Sequence, residues 1–202
     1  MERLAHIHAM LERIARAAVW VGGAALLFAA FMVTIDVLAR RFFAISMGGS
    51  DEISGYIFAA ATSWAYSYVL LNRSNIRIDV VYNILPRAVR AVLDVVALLL
   101  LLGFMGTLTR KAIDALVTSW ERGSVAITTL ATPLWIPQLF WVAGLVLFVI
   151  TMTFVLLYAV VSLLRGDTAT VQKVAGALSV EEEIEVETQT IDVAPSNRGT
   201  GG

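Results

Sequence analysis

Apolar positions along the chain gather into four long blocks separated by short charged segments. Residues 17–35 carry no charge and lie between Arg16 and Asp36; residues 53–71 are uncharged between Glu52 and Arg73. Residues 91–109 hold one acid, Asp94, near their start, and 137–164 hold none. A helix needs about 20 mainly apolar residues to cross the hydrocarbon of a bilayer. The pattern therefore predicts four spans, over about 17–38, 53–71, 88–110 and 134–164. The last is longer than the hydrocarbon requires, which predicts tilt or a protruding end. The first block exceeds the apolar region of a signal peptide and has no clear small-x-small site before Asp36, so it reads as an uncleaved helix.

The ends of the chain follow different patterns. Over residues 1–16, Leu4, Ile7, Leu11 and Ile14 recur at three and four, with Glu2, Arg3, Glu12, Arg13 and Arg16 on other faces. This predicts an amphipathic helix lying on the membrane surface. Residues 166–202 hold Asp167, Glu181, Glu182, Glu183, Glu185, Glu187 and Asp192 against Lys173 and Arg198. Few large apolar side chains accompany them, and this acidic tail is expected to be disordered. The fold class is thus all-α and integral to a membrane: an interfacial helix (1–16), a four-helix membrane domain (17–165) and the tail.

Composition sharpens this picture. The chain is 58% hydrophobic and 15% charged over 202 residues, where a soluble domain averages about 25% charged. Without cysteine there are no disulfides, thiolate metal sites or cysteine redox chemistry. No basic stripe with interleaved aromatics speaks for nucleic acid. Lys and Arg settle orientation. Arg3, Arg13, Arg16, Arg73, Arg77, Arg87, Arg90, Arg165 and Lys173 fall on one side; Arg40, Arg41, Arg110, Lys111 and Arg122 fall on the other. The excess places the first set, and both termini, in the cytoplasm. The stretch "IRIDVVY" (76–82) alternates like a strand but has no partner strand, so it reads as a helix end and turn in a cytoplasmic hairpin, with Pro86 restarting the next helix.

Candidate chemistry is sparse. The phosphate loop GxxxxGK[ST], HExxH and GxSxG are all missing. The serines of the second span have no plausible base nearby, so no catalytic residue, cofactor or metal is expected. His6 and His8 lie two apart, on different helix faces, without a third ligand. Asp36 and Asp94 sit near span ends, where a coupling carboxylate is not expected. Asp36 has Arg40 four residues on, the geometry of a structural ion pair. Gly55, Ala59, Ser63 and Ser67 recur every four residues along the second span. Small residues let backbones approach in lipid, so this strip predicts a packing face, either within the bundle or for another subunit. Thr132 is placed to cap a helix with Pro133 in its first turn, and Pro137 to break or kink it. Trp135 and Trp141 fit an outer aromatic belt.

Four motifs in this order, "DVLARRFF" (36–43), "GSDEISGY" (49–56), "IRIDVVYNILP" (76–86) and "TPLWIPQ" (132–138), resemble the small membrane subunit of tripartite ATP-independent periplasmic (TRAP) transporters, the DctQ-like family, over roughly residues 10–165. The resemblance implies a non-catalytic scaffold in the bacterial inner membrane, part of a sodium symporter for small organic acids. Its partners would be a large membrane subunit that binds substrate and sodium, and a soluble periplasmic binding protein. It also implies an outer docking surface, which here would draw on Arg40, Arg41, Ser50, Asp51, Glu52, Arg122 and Trp135. The competing reading is a self-sufficient small oligomeric transporter or channel; a membrane enzyme ranks last.

Overall fold

In the computed structural model, residues 2–72 and 86–165 are described, with the side chains of 2–7, 87 and 88 left aside. Four helices make up almost all of it: α1 (Glu2–Phe43), α2 (Ser50–Leu71), α3 (Arg87–Glu121) and α4 (Trp135–Leu164). Helices over His8–Phe43, Val89–Glu121 and Trp135–Leu164 are long and apolar enough to cross a membrane. α2 is less apolar because hydroxyl and amphipathic aromatic residues (Thr62, Ser63, Trp64, Tyr66, Ser67, Tyr68) interrupt its aliphatic run. The cytoplasmic hairpin and the acidic tail expected from the sequence fall on 73–85 and 166–202, outside the described residues.

The expected break between a surface helix at 1–16 and the first span is absent. α1 is one helix of 42 residues, about 63 Å long. Charged residues do not end a helix; a proline or a left-handed cap does. Residues 2–21 contain neither glycine nor proline, and neither Gly22, which packs on Ala61, nor Gly23 takes a positive φ. Leu11 and Ala15 are buried in the protein, and the His8 ring approaches that of Phe154 on α4. α1 ends where Ala44 turns to φ 53°, a left-handed cap that glycine would fill without the steric cost of a Cβ. Ala44→Gly should therefore raise stability by about 1 kcal/mol, read as a higher thermal unfolding temperature in detergent.

The principal contacts join α1 to α2, α2 to α4, and α4 to α3, so the helices follow one another in that order, with the start of α1 also reaching α4 at His8 and Phe154. The best-packed core lies between α3 and α4, where Leu98, Met105 and Ala112 meet Leu145, Met152 and Val155. α4 begins later than a Thr132 cap requires. Pro133 instead pairs with Val125 in an isolated bridge, and Leu134 becomes the N-cap. Pro137 then occupies the first turn, where no intrahelical N–H bond is lost, so it neither breaks nor kinks the helix.

Candidate functional site

Two sites combine polar chemistry with close packing: a cap at the α1–α2 turn, and a seam between α2 and α4.

The cap is centred on Asp36, whose side chain is 1% exposed. The i, i+4 geometry brings Arg40 Nη2 to 2.6 Å from Asp36 Oδ2. Two further donors come from beyond the turn. The Met47 backbone N–H donates to Oδ1 at 2.6 Å and the Ser50 hydroxyl to Oδ2 at 2.8 Å. A carboxylate near a helix end thus gathers a guanidinium, an amide and a hydroxyl, and ties α1 to the first residue of α2. A buried charge satisfied in this way is structural.

The segment between α3 and α4 closes over the same turn. Thr129 Oγ1 donates to the Gly48 carbonyl at 2.5 Å, and Leu130 packs so tightly on Gly49 that a Cβ there would overlap it. Gly48 takes φ 63° to make the turn. In the first turn of α2, the Tyr56 hydroxyl donates to Glu52 Oε1 at 2.7 Å. Glu52 Oε2 makes no hydrogen bond of good geometry among the described residues. The Thr128 hydroxyl foremost, then those of Tyr56 and Thr132, nonetheless holds the Glu52 carboxyl below its ordinary range. The two connections are therefore one unit.

Of the residues expected on an outer docking surface, Arg41, Asp51 and Arg122 are exposed. Arg40 is half-exposed but engaged with Asp36. Ser50 is buried and spent on Asp36, so its side chain is closed to a partner. Trp135 stacks edge-on against Trp120, with ring centroids 4.7 Å apart. Ile127, fully exposed, with Val125 and Leu130 beside it, was not singled out by sequence reasoning. The available signal was an apolar "VAI" set in a loop.

At the seam the strip of small residues divides. Ser63 and Ser67 are buried inside the chain; Ala59 is half-buried, and Gly55 faces open space. Ser63 therefore belongs to packing within the chain, where it meets Gly144. A Cβ built on Gly144 would overlap Ser63 Oγ and come within 2.8 Å of the Trp64 backbone nitrogen. Next to this crossing the Trp64 indole N–H donates to the Phe140 carbonyl at 2.9 Å. Losing that bond in Trp64→Phe should cost about 1 kcal/mol, seen as a lower unfolding midpoint. The hydroxyl of Ser63 is satisfied by the Ala60 carbonyl within its own helix. Gly144 was also missed, although a glycine within an aliphatic run is the usual mark of close helix approach in lipid.

In the cap the Ser50 hydroxyl lies against the Asp36 carboxylate, which Arg40 and the Met47 amide also engage, and no cluster among the described residues could hold a metal ion. The family of tripartite ATP-independent periplasmic transporters, DctQ component, matches residues 29–166, well over half of the chain. The protein belongs to the DctQ family. It is therefore a component of a TRAP transporter and a membrane protein, and its family is one of transporter parts, not of enzymes. The match covers the cap, the seam and α2 to α4, and leaves out most of the long N-terminal part of α1. No curated protein and no solved structure matches the chain.

Proposed function

We propose that this DctQ-family chain is the fixed, non-catalytic scaffold of a sodium-coupled importer of small organic acids. In this reading it sits in the bacterial inner membrane with both termini in the cytoplasm, and all four helices, α2 included, cross the bilayer. It supports the large membrane subunit and helps to dock the periplasmic binding protein. The observation that carries this reading is the family match over 29–166. Two features support it. The buried carboxylate of Asp36 is tied down by three donors, leaving a carrier's mobile charge to a partner. The outer end is a braced cap with Arg41, Asp51, Arg122 and Ile127 at its surface, suited to contact with a soluble protein.

The purified chain reconstituted alone should leave solutes outside the vesicles, whereas co-expression should let it co-purify with a large polytopic partner. Sodium-driven uptake of an organic acid by the chain alone would replace this reading with that of a self-sufficient oligomeric transporter. On the α2 face that remains open, Ala59→Leu should reduce the amount of large subunit recovered while leaving the unfolding midpoint nearly unchanged. Undiminished recovery would remove this face from the contact.

A further inference from the structure

The apolar blocks do not lie level across the row of helices. Contacts between neighbours fix the axial register. Gly22 of α1 faces Ala61 of α2, and Asp36 meets Ser50. Trp64 and Ser63 of α2 meet Phe140 and Gly144 of α4, and Tyr66 stacks near Phe148. His8 of α1 reaches Phe154 of α4, and Trp120 of α3 meets Trp135.

Carried along these contacts, the charged borders form a staircase. Arg16, at the inner border of the α1 block, lies level with about residue 146 of α4 at the helical rise per residue. Asn72, after the α2 block, lies level with about residue 151, while α4 itself stays apolar to Leu164 and the α3 block begins at Arg90, near that same end. The outer borders step the same way. Asp36, then Glu52, then Trp135, then Arg110 of α3 lie progressively further along α4. From α1 to α3 the displacement is about 25–28 Å. It accumulates over three helix spacings, about 25–30 Å in all.

We infer that the row lies tilted within its own plane by about 40° from the membrane normal. Upright, the row would sink Glu12, Arg13 and Arg16 to the depth of the aliphatic middle of α4, or lift the Phe28–Ile35 face of α1 into water; both are costly. Tilting levels the four apolar blocks in one slab, at an angle near the upper end of the range seen for membrane helices. It also explains why α1, α3 and α4, at 42, 35 and 30 residues, exceed an upright crossing. The bilayer partner is thus met by an inclined layer whose amphipathic start, 2–16, emerges on the inner side without leaving the helix. This inference rests on the membrane-spanning part of the proposed function and not on the scaffold role.

The cysteine-free chain permits a clean test. Single variants Met10→Cys, Leu27→Cys and Leu100→Cys, all at exposed positions, are spin-labelled in nanodiscs. Their depth is read from collision with oxygen and with a water-soluble nickel chelate. Leu27 and Leu100 should lie at the same depth near the midplane, with Met10 about 20 Å nearer the inner surface. Equal depths for Leu100 and Met10, which lie level along the helix axes, with Leu27 much shallower, would overturn the tilt. Water access at all three sites would overturn the membrane reading itself. Polarised infrared dichroism of the unlabelled chain in oriented bilayers guards against a perturbing label. A mean helix tilt nearer the usual figure of about 20° than about 40° also overturns the inference.

Discussion

Gly144→Ala is expected to force α2 and α4 apart, and Gly144→Leu to prevent their packing. The added Cβ would have to occupy the place of Ser63 Oγ and press on the backbone nitrogen of Trp64, which no rotamer change can move. Overpacking of a close contact costs about 1–3 kcal/mol for small additions. For a chain of this length that lowers the unfolding temperature by about 2–4 °C per kcal/mol. The leucine variant should lose the α2–α4 contact altogether, with Trp64 fluorescence shifting as its bond to Phe140 breaks. Ser63→Gly should restore part of the stability of Gly144→Ala, because it removes the side-chain clash but leaves the backbone one. An unaltered melting curve for Gly144→Ala would mean that the two helices are not in this contact.

Replacing Asp36 should produce the second large effect, at the α1–α2 cap. In Asp36→Ala the Met47 amide and the Ser50 hydroxyl lose their acceptor together, and Arg40 loses its counter-ion. A buried donor left without an acceptor costs about 1–3 kcal/mol. Hydrogen exchange at the Met47 amide should accelerate by at least about tenfold, and protease should cut more readily within 44–49. Asp36→Asn keeps a carbonyl oxygen for the Met47 amide but gives up the ion pair, so it should fall between the wild type and Asp36→Ala. Exchange at Met47 that ignores both substitutions would show that the turn is held by Thr129 and Leu130 instead.

How far these sites were legible depends on the range of the interactions. The Asp36–Arg40 geometry follows from helical periodicity alone, since residues four apart share a face. The closing bonds from Met47 and Ser50 do not, because they depend on how the chain reverses after Phe43. The strip Gly55, Ala59, Ser63, Ser67 shows why a sequence spacing can mislead. Steps of four in a helix of 3.6 residues per turn rotate by about 40° each. From Gly55 to Ser67 the strip therefore winds about a third of the way round, which leaves Ser67 buried in the chain and Gly55 open. The expected division of α1 at residue 16 fails for a related reason. Charge tells where a helix meets water, and it says nothing of where the backbone stops being helical.

Composition and block length alone determined that this is a helical membrane protein and where the apolar parts of its helices end, because transfer from water to lipid depends on local side-chain chemistry. The order of motifs sufficed to suggest the family. The order of the helices, the choice of Gly144 and Ser63 as the closest approach, and the closing of the α3–α4 connection over the α1–α2 turn were decided only by tertiary structure. In lipid every helix is already surrounded by apolar matter, so hydrophobicity does not choose its neighbours. Shape does, through contacts between residues far apart in the chain, and those same contacts set the register that turns four level blocks in sequence into an inclined staircase in space.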